Sequence, residues 1–141
     1  MSPLGRRLLR GISANEAETA PDDPDPRLRG RTYAYPYEEV WQTARGLAEG
    51  RRYMWRVTLA DDQDGVLQIE ARTVLFRFVA DFEVRIGLDE NGQTRVDVRS
   101  ASRKGFADLG GNARRIGRFL RKLDKTLARN RRKRTAAAAP A

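Results

Sequence analysis

Cysteine and histidine are both absent from the sequence. With them go disulfide scaffolds, thiol nucleophiles, haem ligation, the usual zinc sites and every Ser-His or Cys-His dyad. The lack of cysteine fits a reducing compartment. No window approaches the ~20 apolar residues that span a bilayer. The first residues carry Arg6, Arg7 and Arg10, but their only apolar cluster is Leu8-Leu9. A signal-peptide core of roughly 7–15 apolar residues is not there. The expectation is a cytoplasmic protein, touching membranes only at their surface if at all, with no metal and no cofactor.

What the sequence does have is charge. Of its 141 residues 33% are charged and 40% hydrophobic, with a net charge of +9, which suits one soluble domain with a buried core. The charge is unevenly placed. Residues 114–134 hold eleven bases and a single acid, Asp124, for a net of +10, and the rest of the chain is near neutral. Arg118, Arg121, Lys122, Lys125, Arg129, Arg131, Arg132, Lys133 and Arg134 are therefore candidate polyanion-binding residues, for nucleic acid or an anionic membrane surface. The plainer reading of such a run is a solvated helix face with a solubilising tail.

Residues 1–30 read as a flexible N-terminal segment. Within it, residues 4–12 space Leu4, Leu8 and Ile12 like two turns of basic amphipathic helix, too short to persist alone in water. Residues 13–30 read as a linker, because Pro21, Pro24 and Pro26 alternate with Asp22, Asp23 and Asp25 and block helix and strand alike. A single domain is expected over residues 31–128, and a disordered basic, alanine-ending tail over 129–141.

The domain opens with a short strand at 31–35 and a helix from Pro36 to about Glu49, its apolar face made by Val40, Trp41, Ala44, Leu47 and Ala48. Gly50 stands at the C′ stop. Four strands follow. Trp55, Val57 and Leu59 alternate with polar residues, as do Leu67, Ile69 and Ala71. Phe78, Ala80, Phe82, Val84, Ile86 and Leu88 keep strict period two, with Arg77, Asp81, Glu83 and Arg85 on the other face. Asn91-Gly92 favours a tight hairpin into the strand of Val96 and Val98. The last element is a helix in which Leu109, Ala113, Ile116, Leu120, Leu123 and Leu127 recur at spacings of four and three, with Asp108 placed to cap its start. The order strand-helix-four strands-helix implies an α+β fold: an antiparallel sheet of about five strands with two helices on one face.

The densest polar string runs from Arg99 through Ser100, Ser102, Arg103, Lys104 and Gly105 to Asp108, Gly110 and Asn112. Gly105 and Gly110 have phosphate-loop spacing, but Gly111 and Asn112 stand where that motif needs Lys and Ser/Thr. A nucleotide hydrolase is thereby excluded. Asp108, Asn112 and Arg115 lie on one ridge of the last helix and are expected to meet Arg99, Ser100 and Arg103 at one end of the sheet. Arg72, Arg77 and Asp81 complete this candidate ligand-binding set, whose arginine forks suit a carboxylate or phosphate. No nucleophile partners Asp81 or Asp108, so no enzymatic role is expected. Caps, turns and strand-end hydrogen bonds are the structural reading of the same residues.

The chain resembles a bacterial and plastid family catalogued as domain of unknown function 1499. The resemblance rests on Ala71-Arg72-Thr73, Arg77-Phe78, Asp81, Val84-Arg85, the run from Val96 to Arg103, Asp108-Leu109-Gly110 and Asn112 to Ile116, and spans roughly residues 33–123. It implies the same small α+β domain and polar cluster, and no established activity. The chain departs from it at Ala80, where members tend to pair two aspartates. Two functional expectations follow. The first is a non-enzymatic domain binding a small anionic ligand or protein partner through the Arg/Ser/Asn cluster. The alternative is peripheral binding of nucleic acid or an anionic membrane through residues 114–134.

Overall fold

A computed structural model describes residues 16–50, 54–72, 79–103 and 110–138. Its elements are β1 (Glu16–Glu18), a 3-10 turn (Pro26–Leu28), β2 (Arg31–Tyr33), α1 (Tyr37–Glu49), β3 (Trp55–Asp61), β4 (Val66–Arg72), β5 (Val79–Leu88), β6 (Thr94–Ser102) and α2 (Gly111–Ala138). The sheet is antiparallel and its strands run β1-β6-β5-β4-β3, with β2 also pairing β6. The α+β class and the two helices are as expected, and the sheet has six strands rather than about five.

The extra strand comes from the segment read as a linker. Glu16–Glu18 pairs with Arg99–Ala101, and β2 pairs with the other end of β6, so β1 and β2 lie end to end along one edge. Thr19 bridges them: its N–H donates to the Val98 carbonyl, and its hydroxyl accepts from the Val98 N–H, both at 2.9 Å. The prolines do not prevent this, because they fall after the strand. Pro26 then opens the 3-10 turn, capped by Asp25, whose carboxylate accepts from Arg27 N. Ala17 and Leu28 are buried in the core, and at Gly117 of α2 a Cβ would press on the Arg27 side chain at 3.1 Å. Residues 16–30 thus belong to the domain; residues 1–15 lie outside the described residues.

The hydrophobic core forms between the sheet's inner face and the two helices. Ile69, Phe82, Val84, Val96 and Val98 meet Val40, Trp41 and Ala44 of α1 and Ile116, Leu120, Leu123 and Leu127 of α2. Trp55, Phe82 and Phe119 pack as a ring cluster, with centroids 4.7–5.8 Å apart. Apolar side chains of this size each contribute roughly 1.5–3 kcal/mol on full burial. The strict alternation holds in β5 from Ala80 through Ile86, Leu88 at the strand end is exposed, and Phe78, where the pattern was expected to begin, lies outside the described residues. In β3 the alternation fails at a bulge between Val57 and Leu59, which turns Leu59 outward.

The turns refine three expectations. Pro36 is the N-cap residue of α1 rather than part of its first turn, and Gly50 caps α1 in the ordinary right-handed region. Asn91-Gly92 sits inside a longer connection, closed by Asp89 N donating to Gln93 O, so it is no two-residue turn. Gly65 does need its positive φ of 68°, and a Cβ there would collide with the Ile86 carbonyl. The helix α2 runs on to Ala138, so residues 129–138 are helical rather than a disordered tail.

Candidate functional site

Successive β6 residues point to opposite faces of the sheet, and this divides the polar string. Ser100 faces the helices and is fully buried beneath the first turn of α2, where Asn112 is also buried. Ser100 Oγ donates to Asn112 Oδ1 at 2.7 Å, and Asn112 Nδ2 donates to Ser102 Oγ at 3.1 Å. Arg115 Nη1 donates to both Ser100 Oγ and Asn112 Oδ1, at 3.1 and 2.9 Å. Buried polar groups need such partners, and this network supplies them across the strand-helix junction.

On the outer face the arginines lie in a charge lattice. Arg103 donates to both oxygens of Asp81 and to Glu70, while Arg56 holds Glu70 from the other side at 2.7 Å. The two arginines hold the Glu70 carboxyl below its ordinary range, Arg103 contributing most, and the paired carboxylates raise the Arg103 pKa further. Arg99 is bound by Glu16 of β1 at 2.6 Å, a hydrogen bond that raises its pKa. Arg95 grips Asp97 at 2.8 Å, and Thr19 donates to the same carboxylate. Solvent and salt screen such pairs, so singly each contributes little to stability.

The third region is α2 itself. Its apolar stripe faces the core, and its one acid, Asp124, is turned to β2, accepting from Tyr33 Oη at 2.5 Å and Arg31 Nε at 3.0 Å. Burial, and then the bond to Asp124, push the Tyr33 pKa far up, so it stays protonated. Arg118, Arg121, Lys122, Lys125, Arg129, Arg132 and Lys133 are exposed. At ~100° per residue they share an arc of about 120°, and at 1.5 Å rise they extend over about 23 Å. No acid lies on that arc.

The model of the family described as protein of unknown function (DUF1499) matches residues 11–123. The chain belongs to this family. No curated protein matches it. The DUF1499 match begins ahead of β1, in keeping with the docked N-terminal arm, and ends inside α2. Lys125, Arg129, Arg132 and Lys133 therefore lie beyond the matched region of the DUF1499 domain, while Arg118, Arg121 and Lys122 lie within it.

The site residues expected from the sequence do not form one cluster. Ser100, Ser102, Asn112 and Arg115 come together on the inner face, and Asp81 and Arg103 come together on the outer face. Arg99 lies on that outer face with Glu16, and Arg72 is exposed at the end of β4. Arg77 and Asp108 fall outside the described residues. Of the nine candidate polyanion residues, seven share the stripe. Arg131 and Arg134 point elsewhere: both approach Glu39 of α1, at 3.5 and 3.3 Å, and the Arg131 guanidinium lies 4.8 Å from the centre of the Tyr35 ring. Glu39 and Glu16 are the partners that the sequence does not single out, while Glu70 pairs across strands as its place on the charged face of the sheet suggests. The signal for Glu39's partners was present: the spacing of Ile116, Leu120, Leu123 and Leu127 continues onto Arg131 and Arg134.

Proposed function

We propose that this DUF1499 protein binds the phosphate backbone of nucleic acid, without sequence preference and without catalysis, through the exposed stripe of α2. The observation that carries the reading is a one-sign stripe of seven exposed bases along one face of α2, with no acid on the same arc. Bases held on a helix bear less of the ordering cost on binding than a loose basic tail does. The stripe holds no aromatic, Asn or Gln, so it has cations for phosphates and nothing to read base edges or stack on bases. Nucleic acid is favoured over a membrane because α2 commits its apolar face to the core and has none left to insert among lipids. The two large hydrophobics exposed among the described residues, Leu59 and Leu88, lie on β3 and β5. A cytoplasmic location belongs to this reading.

Fluorescence anisotropy with a 20-base-pair duplex over a salt series tests it. Seven neutralised phosphates give a slope of log K against log salt of about −6. Changing Arg118, Arg121 and Lys125 together to Ala is expected to flatten it by about 3 while leaving thermal unfolding in place. Absence of saturable binding at low salt, or equal binding by the triple variant, refutes the proposal. Preference for anionic vesicles over duplex transfers the stripe to a membrane.

A second reading, a small anion held by the Arg/Ser/Asn cluster, has one observation in its favour. The string through which the chain resembles its family is the one that builds the Ser100–Asn112–Arg115 network. Asn112→Ala that abolishes phosphate-metabolite binding in a folded protein supports it; global unfolding marks the network as structural.

A further inference from the structure

The packing of α1 against α2 leaves a groove of about 610 Å³ beside the C-terminal half of α2, within the range of about 300–1,000 Å³ typical of small-molecule sites. Glu39 lines it, with a side chain only 5% exposed. Both of its carboxylate oxygens are buried and neither accepts a hydrogen bond. Arg131 and Arg134 balance its charge from 3.5 and 3.3 Å without donating to it. Buried carboxylates are ordinarily satisfied by several donors, so Glu39 is paired in charge but unsatisfied in hydrogen bonding.

Gly46 is the second sign. A glycine inside a helix costs stability relative to alanine, and chain packing usually accounts for it. Here a Cβ would meet nothing within 4 Å, so no contact inside the protein calls for glycine. What its absence of a side chain does provide is a strip of open helix surface in the wall of the groove, next to the apolar Leu47.

We infer that this groove binds an alkyl-ammonium group, the end of a free diamine or of a lysine side chain on a partner. An ammonium is compact and carries three donors, which is what the Glu39 oxygens lack. Arg134 lines the groove with a side chain 66% exposed. It is the group an incoming ammonium displaces, charge for charge, while Arg131 stays over Tyr35. The slender methylene stem lies along Gly46 and Leu47. Glu38, also in the lining and already accepting from Gln42 Nε2 at 2.9 Å, puts a second carboxylate on the α1 side and sets the groove against phosphates.

The test is a ¹H–¹⁵N NMR titration of the full chain with 1,5-diaminopentane at constant ionic strength, run beside a short lysine-bearing peptide and tetramethylammonium. The expected result is saturable shifts at Gly46, Leu47 and Asn130 that tetramethylammonium, lacking donors, does not produce. Gly46→Leu fills the groove with a better helix former and is expected to weaken binding at least tenfold with the rest of the spectrum unchanged. Glu39→Gln is expected to abolish the preference for ammonium over tetramethylammonium. Tighter binding of the peptide assigns the site to a partner's lysine, and tighter binding of the diamine to a free amine. Shifts that follow ionic strength alone, or that persist unaltered in Gly46→Leu, overturn the inference.

Discussion

The two halves of α2 follow one spacing but are held by different forces. From Asn112 to Leu127 the inward positions are apolar or satisfied by Ser100, and they lie at or near zero exposure. Beyond Leu127 the same inward track carries Arg131 and Arg134, which reach Glu39 and Tyr35, and every residue from 131 to 138 is exposed. The first half is fastened by surface removed from water, which salt does not weaken. The second is fastened by charge, which salt screens within a Debye length of about 8 Å at physiological ionic strength. A helix of one periodicity can therefore be a core element at one end and an electrostatic clasp at the other.

The largest effect that separates the halves is expected from Leu120→Ala, which leaves a cavity among fully buried neighbours. A loss of about 2–5 kcal/mol should appear in urea unfolding, and the same truncation at Arg134 should cost no more than about 0.5 kcal/mol. Next comes Asp124→Asn, in the last turn of the first half, which weakens the bonds to Tyr33 and Arg31. Because Asp124 is 37% exposed on its side chain, screening holds the expected cost to about 1–2 kcal/mol, and Tyr33→Phe should recover part of it as non-additivity in a double-mutant cycle. Smaller still is the effect of 1 M salt. Amide exchange at 128–138 should accelerate while that at 116–127 stays protected, and equal acceleration in both halves would erase the distinction.

The smallest effect is a pH dependence on the outer face, away from α2. Glu70 has a folded pKa below its ordinary 4.5 because Arg103 and Arg56 favour the ionised form. Its contribution is fully present above pH 4.5 and is lost as pH falls through the lowered value. Unfolding midpoints compared at pH 6 and pH 3 should show a smaller drop for Arg103→Gln than for the parent chain.

The sequence made the sheet and helices legible because burial enforces periodicity: a one-residue slip in β5 would move Phe82, Val84 and Ile86 into water. The same period of two is why the polar string misled. Arg99 and Ser100 are neighbours in sequence, but the pleat sends one to Glu16 and the other to Asn112. Reading both sides of a strand as one site overlooks that. β1 escaped because a three-residue strand carries too little pattern to stand against nearby prolines. The clasp escaped because arginines on an apolar track look like more of the surrounding basic run until α1 is seen beside them.

The end-to-end seating of β1 and β2 on β6 has a practical consequence for anyone shortening the chain. Trimming to residue 31 would look harmless on composition, since it discards a proline-bearing stretch whose five bases and five acids cancel. It would also strip the cover from residues 99–101 and bare backbone N–H and C=O groups in the middle of a strand-rich body. Such a raw edge invites the same edge of another molecule, so the shortened protein is expected to polymerise or precipitate where the full chain stays dispersed.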